Sequence, residues 1–229
     1  MTYHVILTAG HRNTKRGGAP GEFERTPRFA RAYTAALREA GCTVHYLQET
    51  TKNSSGMPDF YPGSLRQLAQ EVATLATSLP KNEPVVMLDL HIEDGAAPRG
   101  CFAIVPDDPH VPPGSKDPAA DSWRNNAASR ALAARVSAAI AGAAGFVVRV
   151  ATEPGVMSER ESGVGAQGNR LAMFGYTAAL RDRMPRLIIE HGNIAKDRTI
   201  IDAPETPARC ARAVAGVLLA PGHHVPLIA

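Results

Sequence analysis

Histidine and glutamate side chains stand at the ends of three apolar segments of this sequence. His11 follows a short apolar run that closes in Ala-Gly, and His91 and Glu190 end the runs at residues 84–91 and 185–190. Short runs of this kind are typical of buried strands. Side chains just past the carboxyl ends of parallel strands face the crevice in which open α/β sheets bind ligands. If the first two strands are neighbours, we expect His11 and His91 to converge on one point.

Two carboxylates follow His11 after a glycine-rich stretch. Glu22 and Glu24 are both within reach of the first histidine, and the residues alone leave either as the third partner. Two histidines and one glutamate are a known ligand set for catalytic zinc, which keeps a fourth position for water and polarises a bound carbonyl. Glu190, near the metal, would take a proton from this water and pass it to a leaving amine. The chemistry that these residues predict is hydrolysis of an amide.

Structural roles compete with this interpretation. A hydrogen-bonded histidine in a polar loop would explain His11, and a single histidine at a strand end is usually structural. Two histidines in the same topological position favour a metal site instead. A carboxylate that ends an apolar strand either meets a cation or has a raised pKa. For Glu190 the structural alternative is a salt bridge to Arg181 or Arg183.

The elements that would position these residues alternate between strands and helices. Apolar residues at helical spacing, with glycine or proline at the boundaries, predict helices, and segments rich in β-branched residues predict further strands. The predicted helices begin at Thr26–Pro27, Ser64, Ser122 and Pro207, and the further strands are residues 42–47, 100–105 and 146–150. Polar segments at 48–63 and 152–168 are candidate rims of the site, and a loop rich in proline and aspartate is expected at 106–121.

Composition excludes several classes of protein. A chain of 229 residues suits one α/β domain, and its formal net charge of +3 comes with scattered Lys and Arg and no base-reading motif, so no nucleic-acid partner is expected. Cys42, Cys101 and Cys210 are odd in number and far apart, which argues against disulfides and a cysteine zinc site and favours a reducing compartment.

The sequence has no feature of a membrane or secreted protein. Residues 1–10 lack a basic leader and a cleavage site, and the alanine-rich run at 132–148 is interrupted by Arg135. We therefore expect no membrane partner and a cytoplasmic location, unless another system exports the protein.

Five motifs in this order resemble one family. The chain looks like the zinc-dependent N-acetylmuramoyl-L-alanine amidases of bacterial autolysins and phage endolysins. The resemblance runs through most of the chain, and it rests on Leu7-Thr-Ala-Gly-His11, on Gly17-Gly-Ala-Pro-Gly-Glu22 before a helix ending at Gly41, on Leu88-Asp-Leu-His91 before Gly100-Cys-Phe, on residues 125–149, and on Leu187-Ile-Ile-Glu190-His-Gly-Asn193.

The resemblance implies a fold and assigns roles by position. It implies a single domain over residues 1–229, of α/β class, with a mostly parallel mixed sheet of about six strands flanked by helices on both faces. His11 and His91 match the zinc histidines and Glu190 the catalytic glutamate. The ligand glutamate of the family opens the first helix, which selects Glu22 and leaves Glu24 as the fallback. Zn²⁺ is the implied cofactor, and a peptidoglycan fragment is the implied substrate.

Departures from the family pattern concern the groove rather than the metal site. Arg12 stands where the family has glycine after the first histidine, and Ile92-Glu93-Asp94 replaces a small residue followed by asparagine. A zinc amidohydrolase that acts on another N-acyl amino acid or small amide, as formylglutamate amidohydrolases do, is therefore the alternative. A binding module that kept the fold without catalysis is the third hypothesis.

Overall fold

Strands and helices alternate along the chain in the computed structural model. In chain order the strands are β1 (His4–Ala9), β2 (Thr43–Tyr46), β3 (Val85–Glu93), β4 (Phe102–Val105), β5 (Asp107–Pro109), β6 (Trp123–Asn125), β7 (Val156–Ser158) and β8 (Arg186–Asn193). The helices are α1 (Glu22–Glu39), α2 (Leu65–Ser78), α3 (Ala127–Ala144), α4 (Ala172–Tyr176), α5 (Arg198–Asp202) and α6 (Thr206–Leu218). The structure describes residues 2–11, 20–49, 51, 59–109, 123–125, 127–151, 153–162 and 171–220.

Six of these strands form the central sheet, in the order β2-β1-β3-β8-β4-β7. The pairs β1–β2, β1–β3 and β3–β8 are parallel, whereas β4 runs antiparallel to β8 and carries β7 parallel to itself. The prediction of a mostly parallel mixed sheet is confirmed. Because β1, β3 and β8 are parallel neighbours, their carboxyl ends lie together at one edge of the sheet.

Helices cover both faces of the sheet, as predicted. Helices α1, α3 and α6 pack their apolar sides on one face through residues such as Phe29, Leu132 and Val214, which are buried in a common cluster. Helices α2 and α4 cover the other face through residues such as Val72 and Phe174. The apolar stripes that predicted these helices are the surfaces that they bury.

Helix α1 begins earlier than its sequence signals indicate. Thr26 and Pro27 were expected to start it, but the first helical residue is Glu22, and Gly21 precedes it with a φ of 88°. Proline in a second turn removes one backbone hydrogen bond. Tertiary contacts hold this first turn: Arg25 bonds both carboxylate oxygens of Asp202, and the Thr26 hydroxyl donates to the Gly10 carbonyl. The longer helix places Glu22 at its tip.

Two other local predictions were wrong. The segment at 146–150 makes only isolated bridges, and the strand that pairs with the outer edge of β4 is β7 instead. Val147 and Val150 are exposed. Their β-branched side chains favour a strand, but this preference alone does not form one without a partner strand. The expected loop at 106–121 contains β5, which pairs with β6, and α3 begins at Ala127; Ser122 lies outside the described residues.

Candidate metal centre

His11 and His91 meet at the edge where β1 and β3 end. Their rings lie edge to face with centroids 4.9 Å apart. His11 adopts a φ of 56°, a left-handed conformation that is uncommon for residues other than glycine. Backbone outliers of this kind persist only where their surroundings hold them, and they cluster at functional sites. The convergence of the two imidazoles that the sequence predicts is present.

Gly10 makes this convergence possible, and sequence reasoning gave it no role. A Cβ atom at Gly10 would lie 2.4 Å from Cε1 and from Nε2 of His91. The imidazole therefore rests directly on the backbone of β1, where only glycine leaves room. The Ala-Gly pair that ends the first apolar run was the available signal.

Glu22 is the carboxylate that the fold brings to the two histidines. Its Oε1 lies 2.9 Å from Nδ1 of His91, and its Oε2 lies 3.8 Å from Nε2 of His11. The backbone N–H of Ile92 donates to Oε1, and the residue is only 2% exposed. Glu24, two residues further along the same helix, is exposed. The structure brings Glu22, the glutamate that the resemblance selects, into the cluster and leaves the fallback Glu24 outside it.

Asp89 is a further member of the site that sequence reasoning missed. Its carboxylate lies 3.1 Å from Nε2 of His91 and accepts a hydrogen bond of 2.7 Å from the hydroxyl of Thr8. Asp89 and His91 are two residues apart on one strand, so both face the same side of the sheet. That alternation was a signal, although it does not distinguish a functional aspartate from a surface one.

Glu190 lies directly beside His91 on the neighbouring strand. The two residues are register partners in the β3–β8 pair. Glu190 is 9% exposed, and its Oε2 has no hydrogen-bond partner among the described residues. Burial raises its pKa to about 8, against the lowering effect of His91 and with help from the charges of Glu22 and Glu93.

The salt bridges considered as a structural role for Glu190 are not formed. Arg183 donates instead to the backbone carbonyls of Glu83 and Pro80, and Arg181 pairs with Asp182. The carboxylate therefore remains a buried acceptor next to the histidines.

The charges of the cluster favour a cation. Although burial opposes protonation of His91, Asp89 and Glu22 raise its pKa well above the usual value for histidine. Burial, together with the neighbouring His91, lowers the pKa of His11. The site therefore gathers three buried carboxylates around two imidazoles, and positive charge within it is strongly stabilised.

The cluster has the donor set of a metal site, and two histidines with one glutamate are of the kind that holds zinc. One ligand atom each from His11, Glu22 and His91 lies within 4.8 Å of the others. Bonds of about 2.0–2.2 Å in a tetrahedron place ligand atoms roughly 3.4 Å apart. Oε2 of Glu22 and Nε2 of His11 lie 3.8 Å apart, near that spacing, whereas Oε1 of Glu22 and Nδ1 of His91 lie at a hydrogen-bond distance of 2.9 Å. The hydrogen bond from His91 to Asp89 is the kind of support that orients metal-binding histidines.

His191 supports the site from the opposite face of the sheet, and the sequence did not indicate it. Its Nδ1 lies 3.1 Å from the carbonyl oxygen of His91, and its Nε2 lies 2.8 Å from the hydroxyl of Tyr33. A carbonyl only accepts, so Nδ1 donates to it and Nε2 accepts from Tyr33. Burial lowers the pKa of His191 to about 4, in agreement with a neutral ring.

The likeness of this chain to known proteins lies in its structure rather than in its sequence. No protein-family model matches the chain, and no curated protein is significantly similar to it in sequence. The apo form of the N-acetylmuramyl-L-alanine amidase Ami1 from Mycobacterium abscessus matches with a TM-score of 0.62 at 15% identity, over 96% of this chain and 97% of that one. This chain has the amidase fold.

Two other solved structures define the breadth of this likeness. The catalytic domain of CwlV, an N-acetylmuramoyl-L-alanine amidase from Bacillus (Paenibacillus) polymyxa, matches this chain with a TM-score of 0.60 at 18% identity, over 95% of this chain and 96% of that one. Succinylglutamate desuccinylase from Chromobacterium violaceum matches with a TM-score of 0.50 at 11% identity, over 98% of this chain and 63% of that one. None of the helices in the described part of the chain is long and apolar enough to cross a membrane.

Proposed function

We propose that the chain is a zinc-dependent amide hydrolase that cleaves the bond between N-acetylmuramic acid and L-alanine in peptidoglycan or its fragments. The observation that carries this proposal is the meeting of His11, Glu22 and His91 within 4.8 Å, beside the buried carboxylate of Glu190. The amidase fold, which extends over nearly the whole chain, supports the same reaction.

His11, Glu22 and His91 would hold the zinc ion. When bound, zinc activates a water molecule and polarises the carbonyl of the scissile amide. Asp89 accepts the hydrogen bond from Nε2 of His91, which leaves Nδ1 as the donor atom that faces Glu22. Thr8 in turn fixes Asp89, so the orientation of the imidazole is set before any ligand arrives.

Glu190 moves the proton. A buried carboxylate with a raised pKa is a stronger base than an exposed one, and a cation bound nearby moderates that rise. Glu190 takes a proton from the attacking water while the water oxygen bonds to the carbonyl carbon. It then delivers this proton to the nitrogen as the carbon–nitrogen bond breaks, and the products are a carboxylic acid and an amine.

A second candidate is hydrolysis of another N-acyl amino acid at the same site. Arg12 and the Ile92-Glu93-Asp94 segment depart from the amidase pattern next to the two histidines. The fold is also similar to that of a succinylglutamate desuccinylase. The two candidates share the metal site and the proton transfer by Glu190, and they differ only in the groups that flank the scissile bond.

Zinc content and hydrolysis test the proposal together. We expect about one zinc per chain in protein purified without chelator, and release of L-alanyl peptides from muropeptides measured by mass spectrometry. Glu22→Gln should lose zinc and activity, whereas Glu24→Gln, an exposed position on the same helix, should keep both. Zinc-loaded protein that cleaves neither muropeptides nor N-acyl amino acids would overturn the proposal.

The role of Glu190 has its own test. Glu190→Gln keeps the shape of the side chain but removes its basicity, so it should retain zinc and lose most turnover. Hydrolysis by this variant at the parent rate would refute the proton transfer, while leaving the metal site intact.

A further inference from the structure

An arginine side chain packs against Phe102, the strand neighbour of Glu190. The guanidinium carbon of Arg149 lies 4.5 Å from the ring centroid of Phe102, and Nη1 donates a hydrogen bond to Glu93. The backbone N–H of Arg149 donates to the carbonyl of Cys101. We refer to Glu93, Phe102 and Arg149 as the arginine platform.

Register places the arginine platform beside Glu190. Phe102 is the partner of Glu190 across β4 and β8, and Glu190 is the partner of His91 across β8 and β3. Directly paired residues project to the same face of a sheet. The order across the sheet is therefore His11, His91, Glu190 and then Phe102, against which Arg149 packs. Glu93, the partner of Arg149, follows His91 on β3.

Arg149 is held firmly and still has donors to offer. Within the described ranges, the only side-chain hydrogen bond of Arg149 runs from Nη1 to Glu93, whereas guanidinium carries five N–H groups. The Phe102 ring supports one face of the group, and the side chain is 14% exposed. A guanidinium fixed in this way presents its remaining edge in the geometry that matches a carboxylate.

We propose that the arginine platform binds a carboxylate carried by the amine half of the substrate. The inference rests on the proposed amide hydrolysis. The metal site holds the carbonyl, and Glu190 protonates the leaving nitrogen, so groups beyond Glu190 belong to the amine product. The substrate class is then an N-acylated amino acid or short peptide with a free carboxylate close to the scissile nitrogen. The replacement of the family pattern by Ile92-Glu93-Asp94 supplies Glu93, which holds the cation in place.

Paired substrates test this assignment. N-acetylmuramoyl-L-alanine and N-acetyl-L-alanine are compared with their C-terminal amides, which differ only in the carboxylate. We expect kcat/KM for the acids to exceed that for the amides by about tenfold or more, the usual value of a hydrogen bond to a charged group. Arg149→Gln should remove this preference chiefly through KM, so that acids and amides are hydrolysed with similar kcat/KM.

Arg130→Gln is the matched control. Arg130 also pairs with a glutamate, Glu153, and its side chain is similarly buried at 16% exposure, but it lies on α3. This variant should keep the preference for acids. Equal hydrolysis of acids and amides by the parent protein, or an equal loss on both caused by Arg149→Gln, would overturn the assignment.

Binding without turnover separates this inference from the proposed function. Calorimetry on zinc-loaded Glu190→Gln should show tighter binding of the acids than of the amides, and adding Arg149→Gln should abolish the difference. That result supports the arginine platform whether or not the parent protein hydrolyses the compounds. Absence of hydrolysis would refute the proposed reaction and leave the platform standing. Equal binding of acids and amides, or no binding of either, would refute the platform.

Discussion

Gly10→Ala adds one methyl group directly beneath the His91 imidazole. The new Cβ would lie 2.4 Å from Cε1 and Nε2 and 2.5 Å from Nδ1 of that ring. The φ of Gly10 is not positive, so alanine fits the backbone itself. The substitution therefore perturbs the ring of one candidate metal ligand and little else.

The size of the effect follows from the overlap. Ordinary contact begins at 3.4 Å, so the ring must retreat by about 1 Å. Metal–ligand distances tolerate only about 0.2 Å. We expect zinc affinity to fall by at least about 10- to 100-fold, and kcat/KM by about 100-fold, because a misplacement of this size costs that much in an organised site. The displaced ring also loses part of its contact with the buried carboxylates of Glu22 and Asp89, so the free energy of unfolding should fall by about 1–3 kcal/mol.

Two measurements and one control isolate this effect. Zinc affinity is measured by competition with a chromophoric chelator, and stability by urea unfolding of the chelated protein. Gly142→Ala is the control, because a Cβ there meets nothing within 4 Å and the residue lies inside α3. It should raise stability by up to about 1 kcal/mol and leave zinc affinity unchanged.

Parent-like zinc affinity and turnover in Gly10→Ala would refute the reasoning. That result would mean that the position of the His91 ring on β1 does not determine metal binding. A large loss of stability without a change in zinc affinity would equally contradict it, since the clash would then be relieved by the backbone.

Three further outcomes are expected. Asp89→Asn should lower zinc affinity about 10- to 100-fold with the fold intact, since it weakens the hydrogen bond that orients His91; chelator competition measures this, and an unchanged affinity would contradict it. Burial lowers the pKa of His191 to about 4, so its ring is neutral in the folded protein, whereas it titrates near 6.5 in the unfolded chain. Its contribution to the free energy of unfolding is therefore complete above pH 6.5 and is lost as the pH falls toward 4. Urea titrations of chelated protein should show a loss of about 3 kcal/mol over this window that is missing in His191→Gln; identical pH slopes would refute it. Free zinc at about 1,000 times its dissociation constant should stabilise the parent by about 4 kcal/mol and His91→Ala hardly at all, as judged by thermal unfolding with and without chelator.

Local pattern was sufficient to find the strands that carry the site, although β3 and β8 continue past the predicted ends, His91 and Glu190, to Glu93 and Asn193. His11, His91 and Glu190 each follow an apolar run, and the run is a direct consequence of burial on both faces of a parallel sheet. The same pattern misplaced a strand at 146–150. A β-prone segment forms a strand only where a neighbouring strand has free backbone groups. The outer edge of β4 is paired with β7.

Residues that act through contact with distant parts of the chain were not predictable. Gly10 contacts the ring of His91, and Asp89 accepts a hydrogen bond from Thr8 on another strand. Tyr33 meets His191 from 158 positions away. No sequence pattern indicated a functional role for Arg149, because its segment predicts only a strand. Its role depends on Phe102 being the neighbour of Glu190, which is a matter of sheet register.

The sequence by itself determined the α/β class, the candidate ligands and the candidate base, because apolar periodicity and residue chemistry are local properties. Residue chemistry left Glu22 and Glu24 open and the family resemblance selected Glu22; the tertiary structure shows how Glu22 reaches the histidines, since contacts with Asp202 and Gly10 hold the first turn of α1. The tertiary structure also decided the order of strands, which places Glu190 between His91 and Phe102, the ring against which Arg149 packs. Strand order and register arise from packing between segments far apart in the chain, and no local pattern encodes them.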